Sequence, residues 1–181
     1  MNNNKRPTCF LLLKVIFCLL IVIFMSGCRS KKQVVTPIQE ETVLISTHGM
    51  SKEEKKLMKE AETWMGTPYA YAKSEKGKGS DCSGFVMMVY LNALDMKLPR
   101  NSAKQAEFCK KIDKKHIRPG DLVFFATGKD PHKISHVGMM IDSDRFIHAS
   151  SSKGVVISSL SSNYYSTHFR RFGRVPHMDN R

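Results

Sequence analysis

The chain has 181 residues and a mass of 20.6 kDa, room for one ordinary domain rather than two. With 41% hydrophobic and 25% charged residues and only 7 Pro and 11 Gly, its composition excludes a collagen, a wholly disordered chain and a repeat array. The formal charge is +13 with five Cys and no Cys-x-x-Cys pair, which excludes a zinc ribbon and leaves an anionic or membrane partner, or simply a well-solvated surface.

In chain order, Lys5 and Arg6 precede a nearly all-apolar run from Phe10 to Met25, broken only by Lys14, and Ser26-Gly27-Cys28 follows. A basic head, an apolar stretch of about 7–15 residues and a small-residue exit describe a secretory signal rather than a span of about 20 residues. The expected organisation is a signal peptide over 1–27, an anchor and tether over 28–50, the working domain over 51–176 and a tail over 177–181. Loss of 1–27 removes three basic residues, no acid, and Cys9 and Cys18, so the remainder carries 26 Lys+Arg against 16 Asp+Glu, a net +10. The alternative is an uncleaved signal anchor ending near Met25. Both put the domain outside the cytoplasm, where Cys82 and Cys109 invite a disulfide.

Arg29 to about Met50 is polar and interrupted by Pro37, a tether with a partly ordered end at Val43-Leu44-Ile45. Ser51 and Glu54 form a capping box. Leu57, Met58, Ala61, Trp64 and Met65 recur at helical spacing, which predicts an amphipathic helix over 51–65, ended by Gly66-Thr67-Pro68. Lys73 to Gly79 is a polar, Gly-punctuated loop. A second helix starts near Asp81 and runs through Leu91, and a third covers Ser102 to Cys109. After the turn Arg118-Pro119-Gly120-Asp121, strands are predicted at Leu122–Phe125, His136–Ile141, Arg145–Ala149, Val155–Ser158 and Phe169–Val175. Helices first and meandering strands afterwards imply an α+β domain, its N-terminal helices packed on an antiparallel sheet.

The stretch Gly79-Ser80-Asp81-Cys82-Ser83-Gly84-Phe85 delivers a thiol to the first turn of a helix that Ser80 or Asp81 can cap. The helix N-terminus bears roughly half a positive charge, and such a setting brings a thiol from about 8.5 to ~3.5–7.5, ionised at neutral pH. The N–H groups of that turn could hold an oxyanion. A lone Cys suits a buried core equally well, so the reading needs a base. His136 opens one strand and His148 lies in the next, both with apolar flanks. One could accept the thiol proton while the other holds its ring and tautomer. His48, His116, His132, His168 and His177 sit in polar or basic stretches and read as solvated. The turn at Asp142-Ser143-Asp144 decides whether the pair meets: a two-residue turn puts them on opposite faces. A three-residue turn puts them on one face but staggered by several residues at about 3.3 Å each, so contact then needs strong twist or a bulge.

Gly66-Thr67-Pro68-Tyr69, Asp81-Cys82-Ser83-Gly84-Phe85, Leu98-Pro99-Arg100, Pro119-Gly120-Asp121-Leu122-Val123-Phe124-Phe125, His136-Val137-Gly138 and Phe146-Ile147-His148-Ala149-Ser150 together resemble the NlpC-type family of cell-wall cysteine peptidases. The resemblance covers about 55–175. It implies a papain-like fold reduced to its core and hydrolysis of peptide bonds in peptidoglycan stem peptides. By motif, Cys82 would be the nucleophile, His136 the base and His148 the polar third member. Tyr69 would line the site, Asp81 and Ser83 would flank the thiol and help bind the stem peptide, and Arg100, Ser102 and Gln105 would be groove residues. Met25-Ser26-Gly27-Cys28 resembles a bacterial lipobox, which implies cleavage before a diacylated Cys28 and a membrane-anchored lipoprotein of the cell envelope, the outer membrane favoured. The implied partners are peptidoglycan peptides and the membrane, with no nucleic acid, and the expected state is a monomer. No cofactor is called for. Cys82, His136 and His148 could supply three zinc ligands but lack local ligand pairs, so no metal is expected. The runs Lys110-Lys111 and Lys114-Lys115-His116 read as a solvated face, and Cys109 as incidental. Two alternatives stay open: a stem-peptide-binding module without catalysis, and an amidase or transacylase using the same site.

Overall fold

The computed structural model describes residues 45–178. The expected signal segment, Cys28, most of the expected tether and residues 179–181 lie outside the described residues. Among the described residues, Ile45, ahead of the expected boundary at 51, is already packed: its side chain is buried in the core and its N–H donates to Glu62 Oε1 at 2.7 Å.

Helix α1 (Lys52–Glu62) opens on the predicted capping box, Ser51 N to Glu54 Oε2 at 2.7 Å and Glu54 N to Ser51 Oγ at 3.2 Å. It buries Leu57, Met58 and Ala61. The next turn tightens, Trp64 N bonding Ala61 O and Met65 N bonding Glu62 O, so Trp64 stays buried although the regular helix ends earlier than predicted. The loop expected at 73–79 contains a small hairpin, β1 (Ser74–Glu75) with β2 (Gly79–Ser80). Helix α2 (Cys82–Leu94) and helix α3 (Ser102–Phe108) follow.

The second half builds the sheet from β3 (Lys110–Ile112), β4 (Leu122–Phe125), β5 (His136–Met140), β6 (Arg145–Ser150), β7 (Gly154–Ser159) and β8 (Phe169–Arg174). A short helix, α4 (Asn163–His168), precedes β8. The six strands are ordered β3-β8-β4-β5-β6-β7, and every pairing is antiparallel. The Lys110-Lys111 run belongs to edge strand β3, where exposed lysines discourage further strand pairing.

Both faces of the sheet are covered. Leu122, Phe124, Val137, Met139 and Ile147 pack with Leu57, Phe85 and Val89 on the helical side. Val123, Phe125, Met140, Phe146 and Phe172 form a second cluster on the other side, joined by Tyr165 of α4. Side chains alternate along a strand, so double coverage explains why β4 reads as the unbroken apolar run Leu-Val-Phe-Phe, all four buried. At the start of β7 the chain passes under the loop that follows α1. Gly66 N bonds Val155 O at 3.0 Å and Val155 N bonds Thr67 O at 2.9 Å. Gly154 has φ +71, and a Cβ there would collide with the Thr67 carbonyl, so only glycine permits this approach.

Candidate active site

Asp81, not Ser80, caps α2. Its backbone is extended, and Oδ1 accepts Gly84 N at 2.7 Å and Ser83 Oγ at 3.1 Å. Arg100 clamps the same carboxylate, Nη1 to Oδ1 at 2.9 Å and Nη2 to Oδ2 at 2.7 Å, and Ala72 N adds a bond to Oδ2 at 2.9 Å. Burial opposes ionisation of Asp81, but the bonds from Arg100, Gly84 and Ser83 outweigh it and hold the carboxyl below its usual range. Arg100 Nη1 also reaches Ser83 Oγ at 3.0 Å. The flanking residues Asp81, Ser83 and Arg100 are therefore one network that fixes the start of α2. Gln105, expected in the groove, is fully buried. Its Nε2 donates to Ser83 O at 3.0 Å and Pro99 O at 2.9 Å, so it braces α3 against α2 from inside.

This cap sets Cys82 on the first turn of α2 as a buried residue, 7% exposed. Cys82 and Cys109 are both free, so the disulfide alternative is not realised. Burial pushes the Cys82 thiol up to about 11, against N–H groups of Val137, Ser83 and Cys82 itself that favour the thiolate. The expectation of a thiol ionised at neutral pH is thus reversed: desolvation outweighs the helix terminus. Cys109 is core, packed on Gly173, with burial raising it to about 12.

The β5–β6 turn is the three-residue alternative. Met139 pairs with Ile147 and Met140 with Phe146, Ile141 N bonds Arg145 O at 2.8 Å, and Asp142 Oδ1 accepts the N–H groups of Asp144 and Arg145. Continued along the strands, this register sets His148 across from Gly138, diagonal to His136 and on the same face. Diagonal neighbours lie about 7–8 Å apart, within reach of two rings, so no bulge is needed. His136 Nε2 and His148 Nδ1 are 2.9 Å apart, with the rings at 89°. Gly138 makes room: a Cβ there would lie 2.5 Å from Phe146 Cδ2 and 3.2 Å from His148 Cβ. Burial lowers His136 to about 4, and burial with the neighbouring His136 lowers His148 to about 3, so both rings are neutral near pH 7.

Two further residues meet His148. Its Nε2 is 3.0 Å from Ser158 Oγ and 3.1 Å from Tyr165 Oη. Sequence reasoning missed both. The Ser150 to Gly154 turn carried a signal for Ser158, because its register pairs Phe146 with Ser158 on the His148 face. Tyr165 sits in a short polar helix with no readable pattern.

Cys82, His136 and His148 line one cleft of about 410 Å³, together with Tyr69, Ser158 and Tyr165. A second recess of about 320 Å³ shares Cys82 and Tyr69 and extends along Asp81, Ser83, Arg100 and Ser102. The thiol thus stands where two arms join. Of the predicted set only Gln105 is outside both. His48, His116, His132 and His177 are exposed, and His168 is half-buried, donating from Nδ1 to Tyr164 O at 2.7 Å. Among the described residues no group of three or more His, Cys, Asp or Glu is arranged to hold a metal ion.

Comparison with known proteins finds the NlpC/P60 family pattern over residues 66–174. The chain is 35% identical over 161 residues to "Probable endopeptidase NlpC" of Escherichia coli (strain K12), a match covering 88% of this chain and 99% of that one. It is 37% identical over 120 residues to "Murein DD-endopeptidase MepS/Murein LD-carboxypeptidase" of the same strain, covering 66% of this chain and 62% of that relative. Among solved structures, a protein from Staphylococcus aureus subsp. aureus Mu50 described as similar to a lipoprotein of the NLP/P60 family superposes with a TM-score of 0.64 at 30% identity, over 70% of this chain and 42% of that one.

Proposed function

The chain belongs to the NlpC/P60 family, a family of peptidoglycan endopeptidases, and from that membership we propose that it is a lipid-anchored cysteine endopeptidase cutting peptide bonds of peptidoglycan stem peptides or their cross-links. Cys28, within Met25-Ser26-Gly27-Cys28, is the anchor, and the domain faces the periplasm or the exterior, where it meets the wall. The observation that carries the catalytic reading is the contact of His136 Nε2 with His148 Nδ1 at 2.9 Å, in the cleft that also holds Cys82.

With Nε2 turned to His148, His136 keeps Nδ1 for the thiol. The thiol and the imidazole are each held neutral, so the proton passes from Sγ to Nδ1 as sulfur attacks the substrate carbonyl. The N–H of Gly84 is taken by Asp81 and that of Phe85 by the Asp81 carbonyl. The N–H groups of Cys82 and Ser83, which face the sulfur before attack, pass to the oxyanion as the sulfur bonds the carbonyl carbon. The imidazolium then protonates the leaving amine, a thioester remains on Cys82, and His136 deprotonates the water that hydrolyses it.

Cys82→Ala keeps the fold, because the smaller side chain removes neither the cap nor a core ring. It is expected to release no new amines from purified murein, a rate loss of at least about 10³-fold. Full activity in that variant would overturn the assignment, and an unchanged null in both proteins would point to a stem-peptide binder. Mass analysis of fragments from defined muropeptides identifies the bond cut.

A further inference from the structure

His148 is fully buried and neutral, so it carries one ring proton, on Nδ1 or on Nε2. The position of that proton decides what His136 can do. If His148 holds it on Nδ1, that N–H points at His136 Nε2, which must accept. His136 then bears its own proton on Nδ1 and has no lone pair to offer the thiol. If His148 holds it on Nε2, its Nδ1 accepts from His136 Nε2–H, and His136 Nδ1 is free to act as a base.

The environment of His148 Nε2 discriminates between these states. Two hydroxyl oxygens, Ser158 Oγ and Tyr165 Oη, bracket it at 3.0 and 3.1 Å. An N–H shared between two oxygen acceptors satisfies this arrangement. A bare ring lone pair does not: it takes one donor, and the other oxygen would face it lone pair to lone pair. Neither hydroxyl is placed by chance. Ser158 is on β7 opposite Phe146, and the Tyr165 ring lies 5.2 Å from Phe125, 4.9 Å from Phe146 and 5.3 Å from His148, centroid to centroid.

We infer that Ser158 and Tyr165 are positioning residues that together hold His148 protonated on Nε2, and so keep His136 Nδ1 unprotonated for Cys82. This rests on the roles proposed above for Cys82, His136 and His148. Both hydroxyls act through His148, so the effect falls on turnover and not on substrate affinity.

The test has two arms. Imidazole nitrogen shifts of the intact Cys82→Ala protein at pH 7 are expected to report both rings protonated on Nε2. Adding Tyr165→Phe and Ser158→Ala together is expected to move His148 towards the Nδ1-protonated form. In the Cys82-containing protein the same pair is expected to lower kcat about 10- to 100-fold with KM within about twofold. Ser158→Thr, which keeps a hydroxyl, restores most of the rate when introduced beside Tyr165→Phe. Unchanged shifts overturn the inference, whether or not kcat falls, since a loss without a tautomer change is structural. Shifts that change while kcat does not overturn it as well. Residual hydrolysis by Cys82→Ala would sink the nucleophile assignment alone, because the nitrogen shifts are read without turnover.

Discussion

Gly138 permits the contact of His136 with His148 from a position that carries no functional group. Gly138→Ala would drive a methyl into Phe146 and His148, and those rings are wedged against Phe125 and Tyr165. Overpacking of this kind costs about 1–3 kcal/mol. The expected result is a lower denaturant midpoint with a disproportionate loss of murein hydrolysis, because the displaced ring is the one that aligns His136. Hydrolysis at the normal rate in a destabilised variant would separate the glycine from the site. The placement of Cys82 at a helix start and of His136 and His148 on neighbouring strands was readable from sequence, because each falls at a particular element end or strand position. The ionisation of Cys82 was not, because it depends on how much protein covers the sulfur, which a helix-start motif does not state. Gln105 shows the same gap: its motif is near the groove, yet its side chain turns inward to Ser83 and Pro99.

Among the elements, α2 matters most, since its N-cap sets the height of Cys82, the proposed nucleophile. Asp81→Ala removes the bond to Gly84 N and leaves Arg100 without its carboxylate. The cap alone is worth about 0.5–2 kcal/mol. Asp81→Asn preserves an acceptor for Gly84 but replaces Oδ2, which accepts from Arg100 and Ala72, by a donor amide, so thermal melts are expected to rank wild type above Asn and Asn above Ala, with hydrolysis falling in the same order. An alanine variant as stable as the asparagine one would show that the cap contributes nothing. Helices α1, α2 and α3 and strands β4 to β8 follow from hydrophobic period, Ser51 and Asp81 caps and Gly or Asp turns. The β1–β2 hairpin, β3 and α4 did not, because Ser74–Glu75 is too short to show a period, Lys110-Lys111 pairs as an exposed edge, and Asn163–His168 is too short and mostly polar to show an apolar face. The stagger of His136 and His148 was foreseen, but two residues of offset are spanned by the rings themselves.

For the molecule as a whole, the two imidazoles link stability to pH. Both have native values depressed, to about 4 for His136 and about 3 for His148, from an ordinary 6.5. The unfolded chain therefore binds protons below about pH 6.5 that the native state refuses. The stabilisation is complete above that pH and is lost as pH falls through the native values. Each ring contributes a slope on the order of 1 kcal/mol per pH unit in that window. Urea midpoints between pH 7 and 4.5 are expected to fall, and His148→Asn is expected to flatten the fall by about half. Equal slopes in the two proteins would mean that these rings are not the groups being protonated.

The loop carrying Tyr69 and the hairpin carrying His148 and Ser158 form the two jaws around the thiol, and the bonds from Gly66 and Thr67 to Val155 rivet one to the other. Under the proposed function a vise locked at its hinge would gauge what enters it: a peptide too broad would be turned away at the mouth instead of prising the jaws apart. New preferences in such a molecule are then a matter of refitting the lip, Ser151 to Lys153, while the proton line behind stays untouched.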